Sequence, residues 1–276
     1  MWSRLWVWCM GLAWGVATAQ ALPPVQVSIL PTLTAKALLT QYQPLRVYLE
    51  RELQRPVDMR TAPDFKRFHA ETLSGNVDLV LTAAHLARHA QTESGYTELA
   101  TYTSPNQPMV VMSQRKPVQS VVELRGQTLA VFDPVALVVL EVQQWLADQG
   151  LQAGRDYKVA VFPSHASVAH AVMAGDALLG VTATVGLNLY TAEMKEQLRV
   201  FAERPSVPAL VWMLHPRLSS EAPRVKAALL AFGQSAEGKQ FFASNGYRGL
   251  RAVEDRELAA LDRSAREAAA LLKGAQ

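Results

Sequence analysis

Two histidines, His85 and His89, have the spacing of a helical metal chelate. They lie four residues apart in a segment predicted to be helical, so their imidazoles share one face of the helix. Zinc sites use such pairs together with further ligands, but neither Asp nor Glu lies between these two histidines. We therefore expect no metal site, and we expect the pair to face solvent while Leu86 and Ala90 turn inward.

A third histidine, His165, follows a predicted strand and begins a predicted helix, directly after Ser164. Serine is a strong helix N-cap, which is sufficient reason for its presence. Imidazole can carry a proton near neutral pH, so a structural role and a ligand contact both stay open for His165. The sequence contains none of G-x-S-x-G, G-x-x-x-x-G-K-[ST] or G-x-G-x-x-G. It offers no catalytic constellation, so we expect neither an enzyme nor a cofactor.

Strands and helices alternate along the segments that must position these residues. Residues 25–30 alternate as a strand, a leucine stripe predicts a helix through residue 54, and strands are predicted at 57–60 and 77–81. A second unit starts near residue 109 and alternates in the same way to about residue 214. Helices are predicted for most of the remainder, and the last, at 255–272, carries an apolar docking stripe. This order predicts an α/β fold with mostly parallel sheets and flanking helices.

The first 21 residues have the pattern of a secretory signal peptide. One basic residue, Arg4, precedes an apolar run from Leu5 to Ala17, and small residues follow at A-x-A spacing. We expect cleavage after Ala19 or Ala21 and a soluble, exported product. The only cysteine, Cys9, lies in this leader, so the mature chain is predicted to lack disulfides.

The composition is that of a globular protein. The chain has 276 residues, of which 50% are hydrophobic, and 27 Lys and Arg against 24 Asp and Glu give a net charge of +3. This length suits one large or two small domains. Because no block of five like charges occurs, we expect no nucleic-acid partner.

Several short motifs, in order and spacing together, resemble the periplasmic phosphonate-binding family. They are Pro44-Leu45-Arg46-Val47-Tyr48-Leu49-Glu50, Ala62-Pro63-Asp64-Phe65, Gly75-Asn76-Val77-Asp78-Leu79, Glu123-Leu124-Arg125-Gly126, Phe132-Asp133-Pro134, and Ser164-His165 with Ala171-Val172-Met173-Ala174-Gly175. The family comprises the solute receptors of ABC importers for phosphate, phosphite and phosphonate. The resemblance covers almost the whole chain after the leader.

The resemblance implies a type II periplasmic-binding-protein fold, in which two lobes close on a ligand across a hinge cleft. We expect one lobe from residues 22–105 with 206–276, and the other from residues 106–205. The implied function is capture of a small ligand, such as an oxyanion, for an ABC permease in the inner membrane. Relatives also serve as sensors for membrane histidine kinases, so that role is the alternative.

The expected ligand site departs from the family. A Ser-Thr-Ser run usually cradles the phosphonate, and Val135-Ala136-Leu137 takes its place here; Leu178 and Val185 replace two acidic residues expected to hold an ammonium group. His165 matches the ligand-facing histidine of the family. The predicted ligand-binding residues are Thr32, Phe65, Thr82, Val135, Ser164, His165 and Thr184. We expect weak or absent binding of 2-aminoethylphosphonate and a preference for a less charged or differently shaped ligand.

Overall fold

The computed structural model describes residues 22–104, 106–245 and 247–274. The predicted leader, residues 1–21, lies outside this range. Within the described part of the chain, no helix is both long and apolar enough to cross a membrane. Strands and helices alternate as predicted along residues 25–94 and 128–189. The strands at 97–102 and 108–113 follow each other without an intervening helix, as do those at 198–203 and 210–214.

The strands form two sheets. The described strands are β1 (Val25–Ile29), β2 (Val57–Arg60), β3 (Leu79–Ala83), β4 (Thr97–Tyr102), β5 (Pro108–Ser113), β6 (Thr128–Val131), β7 (Lys158–Val161), β8 (Leu179–Ala183), β9 (Leu198–Glu203), β10 (Leu210–Leu214) and β11 (Leu250–Arg251). The first sheet has the order β11-β4-β10-β3-β1-β2, and the second has the order β7-β6-β8-β5-β9. The second sheet consists of β5 to β9, which are consecutive along the chain. The first sheet consists of β1 to β4, joined by β10 and β11 after the chain returns.

Helices flank both sheets. They are α1 (Ala35–Leu53), α2 (Phe65–Leu73), α3 (Ala84–Ser94), α4 (Leu137–Asp148), α5 (His165–Ala174), α6 (Thr184–Leu189), α7 (Ala192–Gln197), α8 (Ala222–Phe232), α9 (Ala236–Asn245), α10 (Asp255–Ala259) and α11 (Asp262–Gly274), with 3-10 turns at Val121–Leu124 and Pro216–Glu221. The predicted leucine stripe of α1 is confirmed, since Leu38, Leu45, Leu49 and Leu53 are all buried. Burial of one apolar face stabilises a helix whose other face is polar.

Parallel pairing is confined to the strands that lead into helices. In the first sheet β1 pairs in parallel with β2 and β3, and in the second β6 pairs in parallel with β7 and β8. By contrast, β10 and β5 pair antiparallel with both of their neighbours. The predicted α/β fold with flanking helices is confirmed, but the sheets are mixed and not mostly parallel as expected. The chain enters the second sheet through β5 and returns to the first sheet through β10, and both of these strands pair antiparallel.

The chain crosses twice between the sheets, and the two crossing segments meet. Asn106 and Val207 form an isolated antiparallel bridge, with reciprocal backbone hydrogen bonds of 3.1 and 2.9 Å. One hydrophobic cluster contains buried side chains from both sheets, including Val80 of β3, Val110 of β5 and Val131 of β6. The sheets thus share part of their core instead of meeting only at the crossing segments.

Some elements differ from the sequence predictions. Strand β4 was not predicted, because its pairing with β10 and β11 joins residues more than 100 positions apart. The helix predicted at 255–272 is divided into α10 and α11 by a turn at Ala260 and Leu261. Its docking stripe is nevertheless confirmed, since Leu258, Leu261 and Ala268 are at most 5% exposed.

Candidate functional site

A cavity of about 530 Å³ opens between segments that follow strands of both sheets. We call it the cleft. Its walls are Asp64, Phe65 and Lys66 at the start of α2, Asp133, Pro134 and Val135 before α4, and Ala270, Leu271, Leu272 and Gly274 of α11. The first two walls follow the carboxyl ends of β2 and β6, where ligands of open α/β sheets usually bind.

The β6–α4 turn, at which the resemblance led us to expect the phosphonate cradle, is apolar and buried. Val135, Ala136 and Leu137 are 8%, 8% and 6% exposed. Ala136 is the N-cap of α4 and provides no side-chain hydrogen bond to the helix. The Val135 amide donates to Asp133 Oδ1 at 2.7 Å, so that donor is already used. The turn therefore offers an anion fewer donors than a hydroxyl-rich turn would.

His85 contradicts the prediction of a solvent-facing pair. Its side chain is completely buried, and Nε2 donates to the carbonyl oxygen of Val135 at 2.9 Å. Burial lowers the pKa of His85 to about 4, although the hydrogen bond to the Val135 carbonyl opposes this shift. A neutral imidazole on α3 thus links the first sheet's helices to the turn that begins α4. Sequence reasoning missed this because Val135 lies 50 residues away.

His89 is also buried, and it pairs with a histidine that the sequence did not single out. His69 Nε2 and His89 Nδ1 are 2.9 Å apart, and the side chains are 4% and 9% exposed. Burial, with a smaller contribution from the charge of His89, lowers the pKa of His69 to about 3. Among the described residues, no three His, Cys, Asp or Glu side chains are grouped as a metal ion would require.

His165 is held from three sides at the start of α5. Its Nδ1 is 3.1 Å from the Thr182 hydroxyl, and its ring lies 3.9 Å from the ring of Phe132, centroid to centroid. Gly186 of α6 comes so close that an added Cβ would lie 2.5 Å from His165 Nδ1. Burial lowers the pKa of His165 to about 4. The imidazole is therefore neutral at neutral pH and does not bring a positive charge to the cleft.

The other predicted site residues occupy several environments. Of the seven, Phe65 and Val135 line the cleft. Thr82 is 1% exposed, and its hydroxyl has no hydrogen-bond partner among the described residues. Thr184 accepts a hydrogen bond from the Gln107 amide, and Thr32 is exposed in the loop after β1.

Ser164 caps α5 as predicted, accepting a hydrogen bond from the Ser167 amide at 3.1 Å. Its hydroxyl is also 2.9 Å from the Ser167 hydroxyl. These contacts give Ser164 a structural role at the start of α5.

Sequence reasoning missed most of the cleft lining. Asp64 was not among the predicted site residues; it caps α2, since its Oδ1 accepts a hydrogen bond from the Arg67 amide at 2.7 Å. Asp133 was not among the predicted site residues either. The end of α11 was expected to dock on the core, and no spacing rule indicated that its exposed side would line a cavity.

Residues 27–258 match the model of a protein family, the periplasmic substrate-binding proteins of phosphonate ABC transporters. The chain belongs to this family. This match confirms the resemblance that the sequence motifs indicated. Members of the family are periplasmic solute-binding components of transport systems. The match ends four residues before α11 begins.

Solved structures show the same fold at low sequence identity. A Xanthomonas citri protein bound to ATP has a TM-score of 0.78 at 17% identity, covering 90% of this chain and 99% of its own. The binding component of an ABC phosphonate transporter from Pseudomonas aeruginosa has a TM-score of 0.74 at 18% identity, covering 92% and 90%. PhnD1 from Prochlorococcus marinus, in complex with methylphosphonate, has a TM-score of 0.74 at 12% identity, covering 88% and 97%.

A histidine kinase sensor domain similar to periplasmic binding proteins also matches. Its TM-score is 0.56 at 14% identity, and the alignment covers 82% of this chain and 97% of the sensor domain. At this identity the similarity concerns the fold alone.

Proposed function

We propose that the chain is a solute receptor that captures a small ligand in the cleft and delivers it to an ABC permease. The lobes of this receptor are residues 22–105 with 206–276, and residues 106–205. The observation that carries the proposal is the cleft itself, because its walls follow β2 of the first sheet and β6 of the second. A ligand that contacts both walls would stabilise the closed arrangement, since binding energy is available only when the walls meet.

The ligand of this receptor is not a typical aminoalkylphosphonate. The β6–α4 turn has no hydroxyl side chains, and the Val135 amide and carbonyl are hydrogen-bonded to Asp133 and His85. An anion buried there would lose water without gaining equivalent donors, which is costly. His165, with a pKa lowered by burial, does not supply a compensating charge at neutral pH.

A thermal-shift screen of residues 22–276 tests the receptor function. The screen contains phosphate, phosphite, phosphonates, sulfonates, other oxyanions, amines and neutral metabolites. Binding to the folded state raises the unfolding midpoint by mass action, so at least one compound should raise it in proportion to the logarithm of its concentration. If no compound in any class raises the midpoint, the receptor function is wrong.

Sensing by a membrane histidine kinase is the second candidate. Two observations favour it: the expected ligand site lacks the hydroxyl and acidic side chains that the family resemblance implies, and the fold is similar to that of a histidine kinase sensor domain. In vivo crosslinking from the exposed surface, followed by mass spectrometry, separates the two roles. Recovery of a permease supports import, and recovery of a histidine kinase supports sensing.

We also propose that residues 1–21 direct export and are then cleaved from the chain. Mass spectrometry of periplasmic material should identify a chain that begins at Gln20 or Leu22. Recovery of the intact chain in the membrane fraction would contradict cleavage.

A further inference from the structure

Helix α11 contacts both of the proposed lobes, although the match to the family ends before this helix begins. By its position in the chain it belongs to the lobe of residues 22–105 with 206–276, where it packs against α3. There Arg88 of α3 donates a hydrogen bond to Asp262 at 2.6 Å. The helix also packs against α4, which belongs to the lobe of residues 106–205. We call α11 the strap, because it lies against helices of both lobes.

Polar contacts attach the strap to α4. Ser264 of the strap, which is 2% exposed, donates its hydroxyl to Glu141 Oε1 of α4 at 2.8 Å. Arg263 Nη1 lies 4.0 Å from Asp148 Oδ1 at the end of α4. A hydrogen bond to a charged acceptor stabilises more than one between neutral groups, so the contact with Glu141 favours the observed position of α4. At its other end the strap lines the cleft together with the β6–α4 turn, so it follows α4 from end to start.

Apolar packing reinforces these polar contacts. The inner face of the strap is buried at Ala265, Ala268 and Ala269. One hydrophobic cluster contains buried side chains of all three helices: Leu86, Ala87 and Ala90 of α3, Val138, Val139 and Val142 of α4, and Ala268 of the strap. Movement of α4 away from the strap would expose part of this cluster to water, which is unfavourable.

The lobes are also joined directly. His85 of α3 donates to the Val135 carbonyl of the β6–α4 turn at 2.9 Å. The chain crosses between the sheets at Asn106 and Val207, which are bridged to each other. Rotation of one lobe about these crossings would move α4 relative to α3 and the strap. Every contact between the strap and α4 therefore opposes a change in the angle between the lobes.

We propose that the strap restrains the hinge, so that the two lobes keep one relative arrangement before any ligand binds. The inference rests on the proposed two-lobed receptor, but it concerns the conformation of that receptor and not the class of its ligand. The walls of the cleft are then held at a fixed separation, and a ligand binds with little movement of the lobes. A receptor without such a restraint would sample several separations and would be closed by its ligand.

Distances between two spin labels, one on each lobe, provide the test. The sequence of residues 22–276 contains no cysteine, so labels can be attached at introduced cysteines alone. Leu33→Cys and Val161→Cys suit the labels, because Leu33 follows β1, Val161 ends β7, and the two side chains are 49% and 60% exposed. Protein refolded from urea, which removes any bound ligand, should give one narrow distribution of distances. A broad distribution, or two separate distances, in the parent chain would overturn the proposal.

Variants of the labelled chain assign the restraint to the strap. Residues 22–260, which lack the strap, should give a broad distribution of distances. Glu141→Ala is the milder change, because it removes the acceptor of the Ser264 hydroxyl and leaves the strap in place. It should raise the population of other separations about tenfold, the effect of one lost hydrogen bond to a charged group.

Two controls should keep the narrow distribution of the parent chain. Glu141→Gln retains an acceptor for Ser264. Glu193→Ala makes the same truncation on α7, which packs against α5 and β9 of its own lobe. Circular dichroism checks that each variant is folded, and Glu141→Ala alone decides if residues 22–260 are not.

The result is independent of the thermal-shift screen, because the distance measurement uses no ligand. If the folded strap variants keep the narrow distribution, the strap does not restrain the hinge and the proposal is wrong. The receptor function then still stands if the screen finds a ligand. If the screen finds none while the strap variants broaden the distribution, the restraint stands and the receptor function is wrong.

Discussion

The β6–α4 and β7–α5 turns lie side by side in the second sheet, but they begin their helices by different means. At the first turn, Leu137 and its neighbours are buried, and no side chain caps α4. At the second, exposed Ser164 caps α5, and His165 follows it. The start of the first helix is buried and has no side-chain cap, whereas the start of the second is exposed and is capped by a hydroxyl. A turn held by burial provides an apolar contact surface, whereas a capped turn keeps polar groups near solvent.

Truncation at the two turns should separate these mechanisms and give the largest effect. Leu137→Ala should lower the free energy of unfolding by about 2–5 kcal/mol, because it leaves a cavity in the core. Ser164→Ala should cost only about 1 kcal/mol, the typical value of a lost N-cap. Urea unfolding measures both, and equal costs would show that the comparison is wrong.

A second change affects only the β7–α5 side. In Gly186→Ala the new Cβ would lie 2.3 Å from the Thr182 hydroxyl and 2.5 Å from His165 Nδ1. Overpacking of this kind costs about 1–3 kcal/mol. The neighbouring Val185→Ala is the control, since Val185 is 43% exposed and should change stability little. Unfolding by urea again provides the measurement, and a neutral Gly186→Ala would contradict the close packing of α6 on His165.

A buried histidine beside each turn should make the stability of the protein depend on pH. Burial lowers the pKa values of His85 and His165 to about 4, below the ordinary value of 6.5. The unfolded state therefore binds protons first as the pH falls, so stability is full above pH 6.5 and is lost towards pH 4. His85→Gln should reduce the slope of the unfolding free energy near pH 5 by up to about 1.4 kcal/mol per pH unit.

His165→Gln is the comparison for this effect. Burial also lowers the pKa of His165 to about 4, so its removal should reduce the slope by a similar amount. Denaturation at a series of pH values between 4 and 7 measures both slopes. A slope that neither substitution changes would show that these histidines do not titrate as their burial requires.

The fold was predictable because its signals are local. The stripe of α1, the Ser164 cap and the alternating order of strands and helices depend on residues a few positions apart. Strand β4 and the antiparallel pairing of β10 depend on distant partners, and the local sequence did not reveal them.

The site was less predictable, for the same physical reason. The spacing of His85 and His89 places them on one face of α3, but it does not indicate whether that face is covered. The β6–α4 turn covers His85, and His69 covers His89. Likewise, the apolar stripe of α11 predicted docking but not the exposure of Leu271 at the cleft.

Calorimetry of 2-aminoethylphosphonate with residues 22–276 at neutral pH decides the ligand preference most directly. We predict little or no binding at micromolar ligand, because the buried β6–α4 turn lacks hydroxyl donors and His165 is neutral. Loss of three hydrogen bonds, at about 1 kcal/mol each, corresponds to a weakening of more than a hundredfold. Micromolar or tighter binding of 2-aminoethylphosphonate would show that backbone donors suffice, and it would contradict the proposal that the ligand is not a typical aminoalkylphosphonate.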